Sequence, residues 1–134
     1  MAFVALILAD AHVRERRGDE QFALQQVAKL AHKYKVSLVI GLGDLLDKQT
    51  NRASALAIWS EFVSELEGIP FYHIRGNHDF DEPSWLTCVG SPNLNKTRLT
   101  VGPYEAYGLD YQPIFKLQEE LAQVPDDITC LLYT

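Results

Sequence analysis

The stretch PFYHIRGNHDF at positions 70–80 joins an apolar run to a group of polar side chains. PFYHI is typical of a buried strand, and Asn77, His78 and Asp79 follow it almost at once. An amide, an imidazole and a carboxylate are costly to bury unless they have partners. The stretch therefore predicts a strand whose end delivers polar groups to a site that other parts of the chain must complete.

Two earlier runs, FVALILA at 3–9 and VSLVI at 36–40, have the same apolar character as the run at 70–74. Helical periods separate the runs, one from Asp19 onward and one at about 51–67. The first half therefore reads strand, helix, strand, helix, strand. This alternation predicts a parallel sheet with right-handed crossovers and helices on its faces.

Both helices have apolar positions at helical spacing and candidate caps. Asp19 is the expected N-cap of the first, Thr50 or Asn51 that of the second, and Gly68 the expected end of the second. The expected buried positions are Ala23, Val27, Leu30, Ala31 and Tyr34 in the first helix, and Ala55, Trp59, Phe62, Val63 and Leu66 in the second.

The second half of the chain has a different order of elements. TRLTV at 97–101 and YEAYGLD at 104–110 predict two short strands joined at Gly102. IFKLQEELAQ at 114–123 predicts a short amphipathic helix, and ITCLLYT at 128–134 predicts a last strand. No repeat or linker divides the chain, so we expect a single domain over residues 1–134.

Polar side chains follow each of the first three predicted strands. They are Asp10 and His12, then Asp44 and Asp47, then Asn77 and His78. Ligands of open parallel sheets bind beyond the carboxyl ends of the strands, where these residues fall. Carboxylate, imidazole and amide groups together suit Mn²⁺, Fe²⁺ or Zn²⁺. A central carboxylate such as Asp44 can bridge two cations, which activate a water for in-line displacement at phosphorus.

Three motifs, Asp-x-His at 10–12, Gly-Asp-x-x-Asp at 43–47 and Gly-Asn-His-Asp at 76–79, each follow a strand. Together they resemble the calcineurin-like metallophosphoesterase superfamily over about residues 3–80. The resemblance implies an α/β fold, a layered α/β/β/α sandwich with a βαβαβ start. It also implies that residues 1–134 are the N-terminal part of one catalytic domain.

The same resemblance implies the role of each site residue. Asp10, His12 and Asp44 would hold a first metal, and Asp44 and Asn77 a second. The two divalent ions would be Mn²⁺, with Mg²⁺, Fe²⁺ and Zn²⁺ as alternatives. His78 would protonate or stabilise the leaving oxygen, and Asp47 would orient His78 through a hydrogen bond.

Within the superfamily, GIPFYHIRGNHD and YEAYGLDY are similar to segments of the SbcD-type DNA repair nucleases of bacteria and phages. That similarity implies a DNA exonuclease or endonuclease subunit in repair or recombination. It also implies an SbcC-type ATPase partner and a homodimer, paired through the helix that carries Trp59 and Phe62.

One departure from the family is large. The family has a histidine after the strand near ITCLLYT and a later Gly-His-x-His, and neither is present in these 134 residues. We therefore expect the chain to be truncated before its fourth and fifth motifs. Two alternatives stay open, namely a nucleotide or protein phosphatase or phosphodiesterase of the same superfamily, and a non-catalytic fragment. Asp47 could also be only a helix cap.

The charge pattern bears on nucleic-acid binding. A net charge of −6 argues against a generally basic surface, although it permits a local basic patch. Arg14, Arg16 and Arg17 follow His12 closely, so we expect them near the metal rim, where they could contact DNA phosphates.

The composition also bears on the cellular compartment. The two cysteines form no disulfide framework, and the apolar start lacks a basic leader and a cleavage site. No run is long enough to cross a bilayer. We expect a cytoplasmic protein.

Overall fold

Three parallel strands form the first sheet of the structure. The structure is a computed structural model, and it describes residues 3–14, 18–47, 52–78 and 84–134. Strands β1 (Ala5–Leu8), β2 (Leu38–Leu42) and β3 (Phe71–Ile74) lie in the order β1-β2-β3. Helix α1 (Asp19–Lys33) connects the first pair, and α2 (Arg52–Glu65) connects the second. The predicted βαβαβ start is confirmed.

The second sheet contains both strand directions. Strand β4 (Arg98–Val101) pairs antiparallel with β5 (Tyr104–Leu109), and β5 pairs parallel with β6 (Cys130–Tyr133). Helix α3 (Ile114–Ala122) makes the crossover between the two parallel strands. A short 3₁₀ helix, Trp85–Val89, precedes this sheet.

Two apolar cores hold the layers together. One lies between the first sheet and helices α1 and α2, where Trp59, Phe62 and Phe71 make mutual ring contacts at 5.4–5.6 Å between centroids. The other lies between the two sheets and includes Ile40, Ile74, Val101, Ala106 and Leu132. Because the second sheet packs its inner face on the first, the crossover helix α3 belongs on the outer face. The order of layers is α/β/β/α, as predicted.

The buried stripe of α1 differs from the predicted one. Leu24, Ala28 and Ala31 are buried, whereas Leu30 and Tyr34 are 43% and 59% exposed. Both stripes have helical spacing, so periodicity alone could not choose between them, and packing against the sheet and α2 decides. Asp19 is also not the N-cap, because Gly18 holds that position and Asp19 is the first helical residue. Thr50 and Asn51 lie outside the described residues.

Helix α2 buries Ala55, Trp59 and Phe62 as predicted, with Ile58 in addition. Leu66 is buried just beyond the end of the helix, and Val63 is half-buried. Trp59 and Phe62 are 0% and 1% exposed, because both are enclosed by the first sheet and α1. The expected burial of these two side chains is confirmed, and pairing of two chains through this helix stays a prediction. None of the described helices combines the length and apolar character needed to cross a bilayer.

A buried ion pair joins the ends of β3 and β5. The Asp110 carboxylate is fully buried and accepts hydrogen bonds from Nε and the backbone N–H of Arg75, both at 2.7 Å. It also accepts one from Asn93 Nδ2 at 3.0 Å. Because Arg75 directly precedes Gly76, this network fixes the point at which the chain leaves β3.

Replacing Asp110 by alanine should lower the free energy of unfolding by about 3–5 kcal/mol, because it removes the carboxylate of a buried ion pair and leaves the other charge buried. Urea unfolding of Asp110→Ala against Asp126→Ala measures this, since Asp126 is exposed. Equal, small losses in both variants would contradict the importance of the pair.

His73 is a second buried polar group, enclosed between two serine hydroxyls. Its Nε2 lies 2.6 Å from Ser84 Oγ, and its Nδ1 lies 2.9 Å from Ser91 Oγ. Burial lowers the pKa of His73 to about 4, assisted by the Arg75 charge and opposed by Asp110. Because His73 is neutral in the folded protein, it links the strand to the 84–91 segment without a charge.

Stability should depend on pH through His73. Between about pH 4 and 6.5 the unfolded chain binds a proton that folded His73 does not, so unfolding free energy rises with pH. The slope is at most about 1.4 kcal/mol per pH unit. Urea titrations between pH 5 and 7 should show that unfolding free energy rises less steeply with pH in His73→Gln than in wild type. The control variant His32→Gln, at an exposed position, should have the wild-type slope. An unchanged slope in His73→Gln would refute the assignment.

Candidate metal centre

The loops that follow β1 and β2 are joined by backbone hydrogen bonds. The Asp10 N–H donates to the Gly43 carbonyl at 3.2 Å, and the His12 N–H donates to the Asp44 carbonyl at 2.9 Å. The parallel pairing of the two strands is thus continued into the loops. Side chains that the sequence separates by more than thirty positions are brought to one rim.

Asp10, His12 and Asp44 converge at this rim. One ligand atom from each lies within 4.8 Å of the others, and Asp10 Oδ1 is 3.8 Å from His12 Nε2. The three side chains are exposed or half-buried, so solvent reaches them. Two carboxylates and an imidazole are donor types that bind divalent cations, and their proximity makes the three residues candidate ligands.

The backbone of these residues is unusual. Asp10, His12 and Asp44 have φ angles of 55°, 45° and 49°, in the left-handed region. Asp and His tolerate this region better than most residues, but each such position costs about 1–3 kcal/mol. Residues with left-handed backbone cluster at functional sites. Here all three residues whose side chains converge have this backbone conformation.

Two glycines let the third loop approach the second. Gly43 has a φ of 85°, and a Cβ added to it would lie 2.8 Å from the Gly76 nitrogen. A Cβ added to Gly76 would lie 2.5 Å from the Asp44 nitrogen and closer still to its carboxylate. No side chain fits at either position, so the motif glycines are a steric requirement of the site.

His78 lies directly beside the cluster. Its backbone N–H donates to Asp44 Oδ1 at 2.9 Å, and its ring meets the His12 ring edge-to-face at 5.0 Å between centroids. Its Nδ1 is buried and, among the residues described, has no hydrogen-bond partner. An unpaired buried nitrogen costs about 1–3 kcal/mol, which a ligand in the site would offset.

Asn77 is exposed and adjacent to His78, at the same rim. That the Asn77 side-chain amide binds a second metal stays a prediction.

Asp47 and Arg14 form an ion pair at the edge of the site, with Arg14 Nε 2.5 Å from Asp47 Oδ2. The Asp47 side chain is 19% exposed and that of Arg14 is 66% exposed. The Asp47 carboxylate thus accepts a hydrogen bond from Arg14. A hydrogen bond between Asp47 and His78 stays a prediction. Arg16, Arg17 and Asp79 lie outside the described residues.

The comparisons with known proteins agree with this geometry. The layered fold and the carboxylate–imidazole rim make this an α/β protein with a candidate metal site. The model of the calcineurin-like phosphoesterase family matches residues 3–130, and the chain belongs to that family. Its members are hydrolases of phosphoester bonds and typically bind divalent metals.

Two solved structures share the fold. The nuclease MPE of Pseudomonas putida is 23% identical, with a TM-score of 0.59, over 81% of this chain and 55% of that one. The protein TT1561 of Thermus thermophilus is 16% identical, with a TM-score of 0.61, over 88% of this chain and 60% of that one. This chain therefore matches little more than half of each structure. A search of curated proteins found no match.

The like charges of Asp10 and Asp44 predict a stability effect. Asp44→Asn should unfold about 2 °C higher than wild type without metal, because the repulsion is removed and Asn tolerates the left-handed backbone. Added Mn²⁺ should raise the melting temperature of wild type but not of Asp44→Asn.

Differential scanning calorimetry with and without Mn²⁺ measures both effects, and the remote exposed variant Asp126→Asn serves as the matched control. An equal Mn²⁺ shift in Asp44→Asn and wild type would exclude Asp44 as a ligand.

Proposed function

We propose that this chain belongs to a DNA nuclease of the SbcD type, which hydrolyses phosphodiester bonds in repair or recombination. The observation that carries the proposal is the convergence of Asp10, His12 and Asp44 within 4.8 Å, with the His78 ring against His12. This convergence supports the proposal, because candidate metal ligands and an imidazole at one solvent-reached rim suit the hydrolysis of a large phosphodiester.

Asp10, His12 and Asp44 would hold a first divalent cation, and Asp44 with Asn77 a second, with Mn²⁺ as the proposed metal. When bound, such cations supply an activated water and neutralise charge on the phosphoryl group. Asp44 suits the position of a ligand shared by both cations, because its carboxylate faces the loop after β3. There its Oδ1 accepts a hydrogen bond from the His78 N–H.

His78 would act on the leaving oxygen. Its backbone is held against Asp44, whereas its Nδ1 has no hydrogen-bond partner among the described residues. An imidazole placed at the leaving oxygen can donate a proton there, which contributes about 10²–10⁴-fold in rate. Asp47 would orient this ring through a hydrogen bond.

DNA as the substrate is supported by two observations. The Arg14 side chain is largely exposed next to the rim, where a guanidinium can meet a backbone phosphate. The fold is also shared with a Pseudomonas putida protein that is described as a nuclease. Arg16 and Arg17 would extend this basic segment beyond Arg14.

The partners belong to the same proposal. An SbcC-type ATPase subunit and a second copy of the chain would complete the assembly in the cytoplasm. Since Trp59 and Phe62 are core residues, the homodimer would use other side chains.

Substitutions should separate metal binding from turnover. His78→Ala should keep Mn²⁺ affinity and lose about 10²–10⁴-fold in hydrolysis, because His78 would donate a proton without holding metal. Asp44→Ala should lose both. Mn²⁺ titration calorimetry beside an assay on linear DNA measures these effects, with Lys35→Ala as the remote control.

The substrate arm of the assay compares linear DNA with a phosphomonoester. Cleavage of DNA alone supports the nuclease, and cleavage of the monoester alone would favour a phosphatase of the same family. Full DNA hydrolysis by His78→Ala would overturn its assigned role, and equal loss of Mn²⁺ in both variants would make His78 a ligand.

A further inference from the structure

Arg52, the first residue of α2, contacts two of the loops that build the metal rim. Its Nη1 donates to the Asp47 carbonyl at 3.2 Å, and its Nη2 donates to the His78 carbonyl at 3.4 Å. The first carbonyl belongs to the loop after β2 and the second to the loop after β3. One half-buried guanidinium therefore bridges the ends of the second and third motifs.

The shape of the side chain matters for this bridge. A guanidinium presents several N–H donors in a rigid planar fork, so its two terminal nitrogens reach two separate acceptors at once. A lysine ammonium carries the same charge on a flexible stem and lacks the fork. The bridge therefore depends on arginine geometry and is not satisfied by positive charge alone.

The contact acts on one particular residue of the site. The N–H of His78 is held by Asp44 Oδ1 at 2.9 Å, and its carbonyl is held by Arg52. The backbone of His78 is thus restrained on both sides, although its side-chain Nδ1 has no partner among the described residues. Because the backbone is restrained, the point from which the imidazole side chain extends is fixed.

We propose that Arg52 is a positioning residue that clamps the His78 backbone over Asp44 and so sets where the imidazole meets the phosphate. The catalytic part of this inference rests on the proposed role of His78. The clamp itself is a property of the chain without metal or substrate. The competing role for Arg52 is a charge contact to a substrate phosphate, which a lysine would largely preserve.

Amide hydrogen exchange measured by NMR tests the clamp directly. In Arg52→Gln and Arg52→Lys, exchange of the His78 amide should be about 10-fold faster than in wild type, because its bond to Asp44 opens more often. The Ile40 amide, in the central strand, and the melting temperature should stay unchanged. Lys35→Ala, which removes an exposed charge far from these loops, should leave both amides at the wild-type rate.

The kinetic arm uses the metal-loaded protein and a DNA phosphodiester. Both Arg52 variants should lower kcat by about 10–100-fold, since small misplacement of a catalytic group is costly, while KM and Mn²⁺ affinity stay unchanged. Recovery of wild-type kcat by Arg52→Lys would overturn the clamp in favour of a charge contact. Wild-type exchange at His78 in both variants would overturn it directly, as would loss of folding in both.

The two proposals fail in distinguishable ways. If wild type hydrolyses no phosphodiester, the proposed function fails, and the exchange rate of the His78 amide still decides whether Arg52 is the clamp.

Discussion

The contact between Gly76 and Asp44 is the constraint on which the site depends. With no Cβ at Gly76, the loop after β3 lies directly against Asp44, and any side chain there would collide with its nitrogen and carboxylate. Asp44 then connects all three loops, because its carbonyl accepts the His12 N–H and its carboxylate accepts the His78 N–H. Three separate sequence motifs become one rim through the backbone and the side chain of a single residue.

The rim is unfavourable in itself and is held by the structure around it. Its converging residues have left-handed backbone, its two carboxylates repel each other, and His78 Nδ1 is unpaired among the described residues. The aromatic core under α2 and the buried Arg75–Asp110 pair supply the rigidity that keeps these loops in place. Such a balance is expected where binding of a cation replaces repulsion with attraction.

Much of the fold and the position of the site could be predicted from the sequence. Continuous apolar runs indicated the parallel strands, and the polar residues that follow them indicated the rim. Both features are local properties of the sequence. The buried stripe of α1 was missed because two stripes have the same spacing. The Asp110 pair and the Arg52 bridge were missed because a distant partner leaves no local pattern. Arg52 in particular contacts carbonyl groups, which every residue carries, so no sequence motif could have indicated its partners.

If Asp10, His12 and Asp44 hold a divalent cation at the rim, beside His78, the ion should be visible there directly. The most direct measurement is anomalous X-ray diffraction at the manganese edge from crystals grown with Mn²⁺. We predict a peak within about 2.0–2.3 Å of a donor atom from each of the three residues, the range of metal–nitrogen and metal–oxygen bonds in such sites. A Mn²⁺ peak only elsewhere on the molecule, with the three side chains turned away from one another, would contradict it.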